Sequence, residues 1–233
     1  MTQDKGAAGI GLGEHQSHVR IINSDCIGAG PHLPRDQAAM NQIVTIQGHP
    51  DNSSGHFCHA LEEAYREGAS SAGHKIDSIN LAELDFPWLR SREDWEGDLP
   101  QSLEEAARLI QQAEHLVFFY PLWLGTMPAL MKAFIEQVFR PGIALQKAEQ
   151  KNAWPQQKLK GKSCRIVVTM GMPALFYRWY YRAHSLKSLE RNILKFSGIN
   201  PVRETLLGLV EGVSDQRRQA WLAQLRKLGS QCR

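Results

Sequence analysis

The chain has 233 residues, of which 42% are hydrophobic and 22% are charged, and this composition is typical of a globular protein with a sizeable core. Its formal net charge of +3 is too small to indicate binding to nucleic acid or to an anionic membrane. No apolar run reaches the ~18 residues of a membrane span, and the N-terminus lacks the pattern of a secretory signal. Four scattered cysteines favour reduced thiols, so we expect no membrane insertion and a cytoplasmic location.

Residues 1–39 differ from the rest of the chain in composition. They contain six glycines and two prolines and show little apolar periodicity. We expect a disordered or loosely attached extension there, followed by one folded domain over residues 40–233. Because an ordered pattern begins directly after Met40, we also consider Met40 as the natural start, a hypothesis that mass spectrometry of the native N-terminus would test.

Strand and helix signals alternate from residue 40 onward. Apolar or β-branched runs predict strands at 43–47, 75–80, 116–120, 164–169 and 205–210. Five amphipathic helices lie between and after these strands, and the residues that we expect to begin them are Ser53 or Ser54, Ser102 (in a capping box), Thr126 and Ser214. The order predicts an α/β fold: a three-layer, doubly wound, five-stranded parallel sheet of flavodoxin-like order 2-1-3-4-5.

In such a sheet, ligands bind where the carboxyl ends of strands 1, 3 and 4 meet. The first loop, from Gly48 to Ser54, places hydroxyl and backbone N–H groups at a helix N-terminus, which favours a phosphate site or, more simply, a capped helix. The second loop carries Trp123 between Pro121 and Gly125. A Trp in such a turn has little use in packing, so we expect it to contact an aromatic ligand.

Three segments carry a resemblance to a known family. They are the His49-Pro50 loop with its serines, the segment 120–125 with Pro128, Lys132 and 139–142, and Gly161-Lys162 leading into a strand that ends near Gly171. In this order they resemble the flavodoxin-like NAD(P)H:quinone oxidoreductases, a family that includes DT-diaphorase, the modulator of drug activity and an ancillary subunit of a potassium-efflux system. The resemblance covers about residues 42–230.

The resemblance implies a flavin site, either FMN or FAD, and NAD(P)H as co-substrate. Phosphate or ribityl contacts would come from His49, Ser53 and Ser54. The flavin ring would lie along a second set of residues, through backbone N–H groups on one side and a closing loop on the other: Pro121, Leu122, Trp123, Leu124, Thr169, Met170, Gly171 and Met172. The chemistry implied is ping-pong hydride transfer from NAD(P)H through flavin N5 to a quinone-like acceptor.

The family's substrate-site Tyr and His are matched only loosely, by Tyr177 and His184. We expect one of them to protonate or orient the acceptor oxygen. The third loop also departs from the family, which usually has a Gly-rich segment where this chain has Met170 to Ala174.

The run from Phe176 to Arg182 alternates aromatic and basic residues. Such runs can bind single-stranded nucleic acid, but pocket lids and subunit interfaces are the commoner case. The family implies a homodimer with the flavin near the interface. The histidines and Cys58 near the first loop could indicate a metal, but their helical spacing points them to different faces, so we expect none.

Two other functions are compatible with the same residues. One is a flavin-bearing regulatory subunit docked on a membrane transporter, and the other is a flavodoxin-type one-electron carrier. The sequence does not distinguish FMN from FAD or NADH from NADPH, and it does not identify the acceptor.

Overall fold

A computed structural model describes residues 40–53, 55–146 and 156–233. The proposed extension over residues 1–39 and the predicted site residue Ser54 lie outside these ranges. No helix within them is long and apolar enough to cross a membrane.

Five parallel strands form a single sheet in the order β2-β1-β3-β4-β5, as the sequence predicts. Their bounds are β1 Gln42–Gln47, β2 Lys75–Asn80, β3 His115–Pro121, β4 Ser163–Met170 and β5 Val202–Gly208. The three central strands are the most apolar segments because both of their faces are covered by helices.

Within the described ranges, seven α-helices connect or follow the strands: α1 Phe57–Ser71, α2 Arg92–Glu96, α3 Gln101–Gln112, α4 Ala129–Val138, α5 Ala174–Trp179, α6 His184–Lys187 and α7 Asp215–Ser230. A short 3-10 turn, Leu81–Glu83, follows β2, and a π-helical segment, Ser188–Lys195, continues α6. Side chains of the strands alternate between two cores. Val117 and Phe119 pack with α1 and α7, whereas Leu116 and Phe118 pack with α3, α4 and α6.

Helices α1 and α7 cross in very close contact through two glycines. A methyl group on Gly68 would lie 1.9 Å from the carbonyl oxygen of Arg226, and one on Gly229 would lie 2.0 Å from that of Tyr65. Real Cβ atoms do not approach backbone so closely, so the crossing requires glycine at both positions.

The helix starts differ from prediction in three of four cases. Ser214 caps α7 as expected. However, α1 begins after His56, which gives no side-chain cap, and not after Ser53. Helices α3 and α4 begin directly after Pro100 and Pro128, so neither Ser102 nor Thr126 is the residue before its helix.

The segment between β4 and β5 contains more helix than the sequence indicates. Periodicity predicts one helix through 186–196 that ends at Gly198, and the structure has α6, the π-helical segment and a left-handed Gly198. The additional helix α5 carries the aromatic run. It is separated from α6 by a turn in which Arg182 and Ala183 both have positive φ.

Candidate functional site

A cavity of about 320 Å³ opens at the carboxyl ends of β1, β3 and β4. It brings together seven of the predicted cofactor-binding residues: His49, Pro121, Leu122, Trp123, Thr169, Met170 and Gly171. Ser53, Leu124 and Met172 lie in the same three loops but do not line the cavity. Residues of all three predicted loops therefore line a single cavity.

His49 is held rigidly at the start of the first loop. Its backbone N–H donates to Gln47 Oε1 at 3.1 Å, and Gln47 Nε2 donates to Glu62 Oε2 at 2.9 Å. Glu62 also accepts a hydrogen bond from Thr45 at 2.6 Å, so all three partners belong to a buried network between β1 and α1. This network orients the backbone from which the His49 ring reaches the cavity.

Three imidazoles cluster around the first loop. The rings of His49 and His56 stack with centroids 3.9 Å apart, and His59 lies 5.4 Å from His49. Burial, together with the nearby His56, lowers the pKa of His49 below its ordinary value. His56 Nε2 lies 2.9 Å from Asp51 Oδ2, so a carboxylate joins this cluster.

The N-terminus of α1 has its donors exposed to the cavity. Its N-cap residue His56 gives no side-chain cap, and its first turn contains no acidic residue, while Phe57 and Cys58 line the cavity wall. Arg218 adds a guanidinium, which donates to the carbonyl of Val210 at 3.1 Å. Its Nε is buried and has no hydrogen-bond partner within the described ranges. Helix dipole and guanidinium together make this end of the cavity suitable for an anion.

Trp123 stands in a tight turn that explains its position between proline and glycine. Trp123 and Thr126 exchange backbone hydrogen bonds of 2.9 and 3.0 Å. The two residues between them, Leu124 and Gly125, both have positive φ, as in a type I′ turn. Thr126 thus closes a turn and does not cap α4. The turn leaves Trp123 47% exposed, and its ring centroid lies 5.9 Å from that of His49 in an edge-to-face arrangement.

The backbone donors of this loop differ from the expected set. The N–H of Leu122 donates to the carbonyl of Thr169 at 2.7 Å, and that of Trp123 belongs to the turn. Pro121 has no N–H. Among the described residues, the backbone N–H groups of Leu124 and Gly125 at the tip of the turn have no protein acceptor. Neither residue lines the cavity, so the expected contacts between backbone donors of this loop and a ligand stay a prediction.

The third loop is fixed against the segment that follows β5. Carbonyls of Met170 and Met172 accept the N–H groups of Val210 and Leu209 at 3.2 and 3.1 Å. Thr169 and Met170 are buried, whereas a side chain on Gly171 would meet no protein atom within 4 Å. Gly171 therefore marks the open wall of the cavity.

The two predicted catalytic residues do not border the cavity. Tyr177 is buried in α5, where its hydroxyl lies 2.7 Å from Ser185 Oγ and accepts the N–H of Leu186 at 3.3 Å. His184 is exposed at the start of α6. Their catalytic roles stay predictions.

Several site residues were missed from the sequence, namely Gly55, His56, Phe57, Cys58, Val210, Glu211 and Arg218. His56 to Cys58 could have been found by placing the start of α1 correctly. Arg218 carries no local signal, because it reaches the cavity only through the close packing of α7 on α1. Burial raises the pKa of the Cys58 thiol well above its ordinary value, so Cys58 lines the wall without being a nucleophile.

Comparison with known proteins gives three informative similarities. An uncharacterized NAD(P)H oxidoreductase of Haemophilus influenzae is 26% identical over 78% of this chain and 91% of its own length. NAD(P)H dehydrogenase [quinone] 1 of Cavia porcellus is 27% identical over 53% of this chain, which spans about half of that relative (52%). The structure of an FMN-dependent NADH-azoreductase from Bacillus anthracis, in complex with FMN, superposes with a TM-score of 0.65 at 17% identity, covering 82% of this chain and 99% of that one.

The family model described as a flavodoxin-like fold, Flavodoxin_2, matches residues 41–228. That range includes all five strands and all three loops of the cavity. The chain therefore belongs to the Flavodoxin_2 family of flavodoxin-like fold, as an oxidoreductase related to the NAD(P)H:quinone oxidoreductases.

Proposed function

We propose that the chain is a flavin-dependent oxidoreductase that passes reducing equivalents from NAD(P)H to a quinone or similar aromatic acceptor in a ping-pong cycle. The observation that carries this proposal is that the two ends of the cavity differ in chemical character. One end offers the uncapped N-terminus of α1 and Arg218, and the other offers the Trp123 turn. A phosphate joined to an aromatic ring matches both ends at once.

The residues present fit a flavin. The helix N-terminus and the partly unpartnered Arg218 suit its phosphate, and the exposed Trp123 indole suits its aromatic ring. Both FMN and FAD have these groups. The quinone reductase and the FMN-bound azoreductase among the similar proteins support the assignment.

When bound, the flavin would supply the hydride chemistry itself. The protein's contribution is to hold the two ends of the cofactor and to leave one ring face open. The buried network of Gln47 and Glu62 keeps His49 in place, and the docked third loop keeps the Gly171 wall open. Exposed His184 is the better placed of the two predicted proton donors, because the Tyr177 hydroxyl is already bonded inside the protein.

We also propose a homodimer. Helix α5 and the residues after it expose a continuous set of large apolar side chains: Leu175, Phe176, Trp179, Tyr180 and Tyr181. Such a patch is typical of an interface, and its position directly after the third loop would place a partner subunit beside the cavity. Replacing Trp179 with Asp is expected to yield a monomer in light scattering. An unchanged mass would contradict this interface.

A cytoplasmic location is a prediction that rests on the cysteines. The thiols of Cys58, Cys164 and Cys232 are free, which agrees with a reducing compartment.

The flavin site is tested by placing a large side chain at Gly171, on the open wall of the cavity. Gly171→Leu is expected to abolish retention of FMN and FAD after desalting, because the new side chain meets no protein atom and occupies the cavity border. Gly212→Leu is the matched control, since it also adds a side chain into open space but lies outside the cavity. Equal flavin retention by Gly171→Leu and the wild type would remove this cavity from the proposal.

A further inference from the structure

A second cavity, of about 380 Å³, lies beside the β5 edge of the sheet. It shares no lining residue with the candidate flavin cavity. Part of its lining is apolar, contributed by Ile166, Leu186 and Val202. Ile166 precedes Met170 of the flavin cavity by four residues of one strand, which is about 13 Å. The two cavities can therefore be occupied independently.

The remaining lining residues are strongly basic. Four cationic side chains, Arg178, Arg182, Lys187 and Arg191, lie with two carboxylates, Glu190 and Glu204, in the lining. Arg203 contributes to the lining from β5, but its side chain leaves the opposite face of the sheet, where its charge acts on Arg165 and His115. The side chains that face the cavity therefore carry an excess of two positive charges, four cations against two carboxylates.

The two carboxylates do not balance the excess. Glu204 pairs with Arg178, and Glu190 pairs with Lys195, which is not part of the lining. Among the described residues, the other three cations that face the cavity, Arg182, Lys187 and Arg191, have no ion-pair partner. Like charges gathered around a concavity repel one another, and an anion bound between them would relieve that repulsion.

The cations also reach the cavity from separate elements: α5, the α5–α6 turn, α6 and the π-helical segment. In the turn, Arg182 and Ala183 have φ angles of 51° and 49°, a backbone region that costs energy for residues other than glycine. That turn places Arg182 on the cavity wall. Arg182, which has this unfavourable backbone conformation, is therefore also one of the cations without an ion-pair partner among the described residues.

We propose that this second cavity binds a small polyanion that carries at least two phosphate groups. Arginine forks match phosphate oxygens in pairs, and two of the three unpaired cations are arginines. The volume suits a small ligand, and the apolar lining allows the phosphates to carry an organic group. The ligand is either a free diphosphate or the phosphates of a nucleotide.

The test is calorimetric titration of the full chain with inorganic diphosphate at low ionic strength. We expect saturable binding, weakened at least about tenfold by Arg191→Ala and by Arg182→Ala, because each removes a charge-assisted contact. Both side chains are exposed, so both variants should fold. Arg92→Ala removes an exposed arginine outside both cavities and should bind like the wild type.

The Arg218→Ala variant tests whether diphosphate binds in the candidate flavin cavity instead. If diphosphate binding is lost in Arg218→Ala and kept in Arg191→Ala, the ion occupies the flavin cavity and the proposal is overturned. Absence of any binding overturns it as well and leaves the cations as charges that protect an edge strand from pairing.

Competition between diphosphate and the nucleotides NADPH and NADH identifies the source of the phosphates. NADPH that displaces diphosphate from the wild type, with NADH unable to do so, would identify a nucleotide bearing the extra phosphate. Undiminished diphosphate binding in the presence of both would identify a free diphosphate. Neither titration requires turnover, so failure here leaves the proposed oxidoreductase function untouched.

Discussion

Trp123 is the residue whose removal should alter flavin affinity with least damage to the fold. Its turn is held by backbone hydrogen bonds to Thr126, which an alanine at position 123 retains. We expect Trp123→Ala to lose about 1 kcal/mol of aromatic contact, or roughly fivefold in Kd, in a fluorescence titration with FMN or FAD. Trp88→Ala removes a similarly exposed indole outside the cavity and should bind normally. An unchanged Kd for Trp123→Ala would remove Trp123 from the site.

His115 makes stability depend on pH. Burial lowers the pKa of its imidazole to about 3, and only Nδ1 has a partner, Ser163 Oγ at 2.7 Å. Between about pH 3 and 6.5 the unfolded chain therefore binds a proton at this site that the folded chain does not. The free energy of unfolding must decrease as the pH falls through this window.

From pH 6.5 to 5, where carboxylates stay largely ionised, the loss through His115 should be about 2 kcal/mol in urea unfolding. His115→Gln is expected to flatten most of this slope; His49, whose pKa is also lowered, adds a smaller contribution of the same sign. Ser163→Ala keeps the imidazole and should keep the slope. The same slope in His115→Gln would show that other groups cause it.

At the scale of elements, the crossing of α1 and α7 determines how Arg218 reaches the flavin cavity. Gly68→Ala would place a methyl group 1.9 Å from the Arg226 carbonyl and force the two helices apart. We expect a loss of at least about 3 kcal/mol in urea unfolding, the upper end of overpacking costs. Gly212→Ala, which meets no atom, should change stability by less than about 1 kcal/mol. Equal stability of both variants would contradict the close crossing.

The elements themselves were largely predictable. β-Branched and apolar runs fill the five strands, and their alternation with helices gave the sheet order correctly. The helix starts were harder to predict, because Ser102 and Thr126 look like caps in the sequence while Pro100 and Pro128 are the residues that directly precede the helices. A nearby proline is therefore as informative about a helix start as a side-chain hydroxyl.

The candidate site was predictable where it depends on single loops. The first residues after β1, β3 and β4 were found because loops at the carboxyl ends of parallel strands meet. Val210, Glu211 and Arg218 were not, since they reach the cavity through the docking of one loop on another and of α7 on α1. Backbone donors were also misjudged, because the partners of Leu122 and Trp123 are set by tertiary contacts.

At the scale of the whole molecule, one sheet carries two cavities of different character. The first lies at the strand ends and combines the start of α1 with an exposed indole. The second lies beside the β5 edge, and its lining has more cations than carboxylates. The doubly wound fold permits both, because its loops converge at the strand ends while its edge strand stays accessible.

The measurement that tests the central claim most directly is an absorbance spectrum of the protein after loading with FMN or FAD and desalting, followed by anaerobic addition of NADPH or NADH. We predict retained yellow colour that bleaches with at least one nucleotide and returns on addition of a quinone. Colour that does not bleach would contradict the enzyme and favour a regulatory flavoprotein or an electron carrier. Failure to retain either flavin would contradict the assignment of the cavity itself.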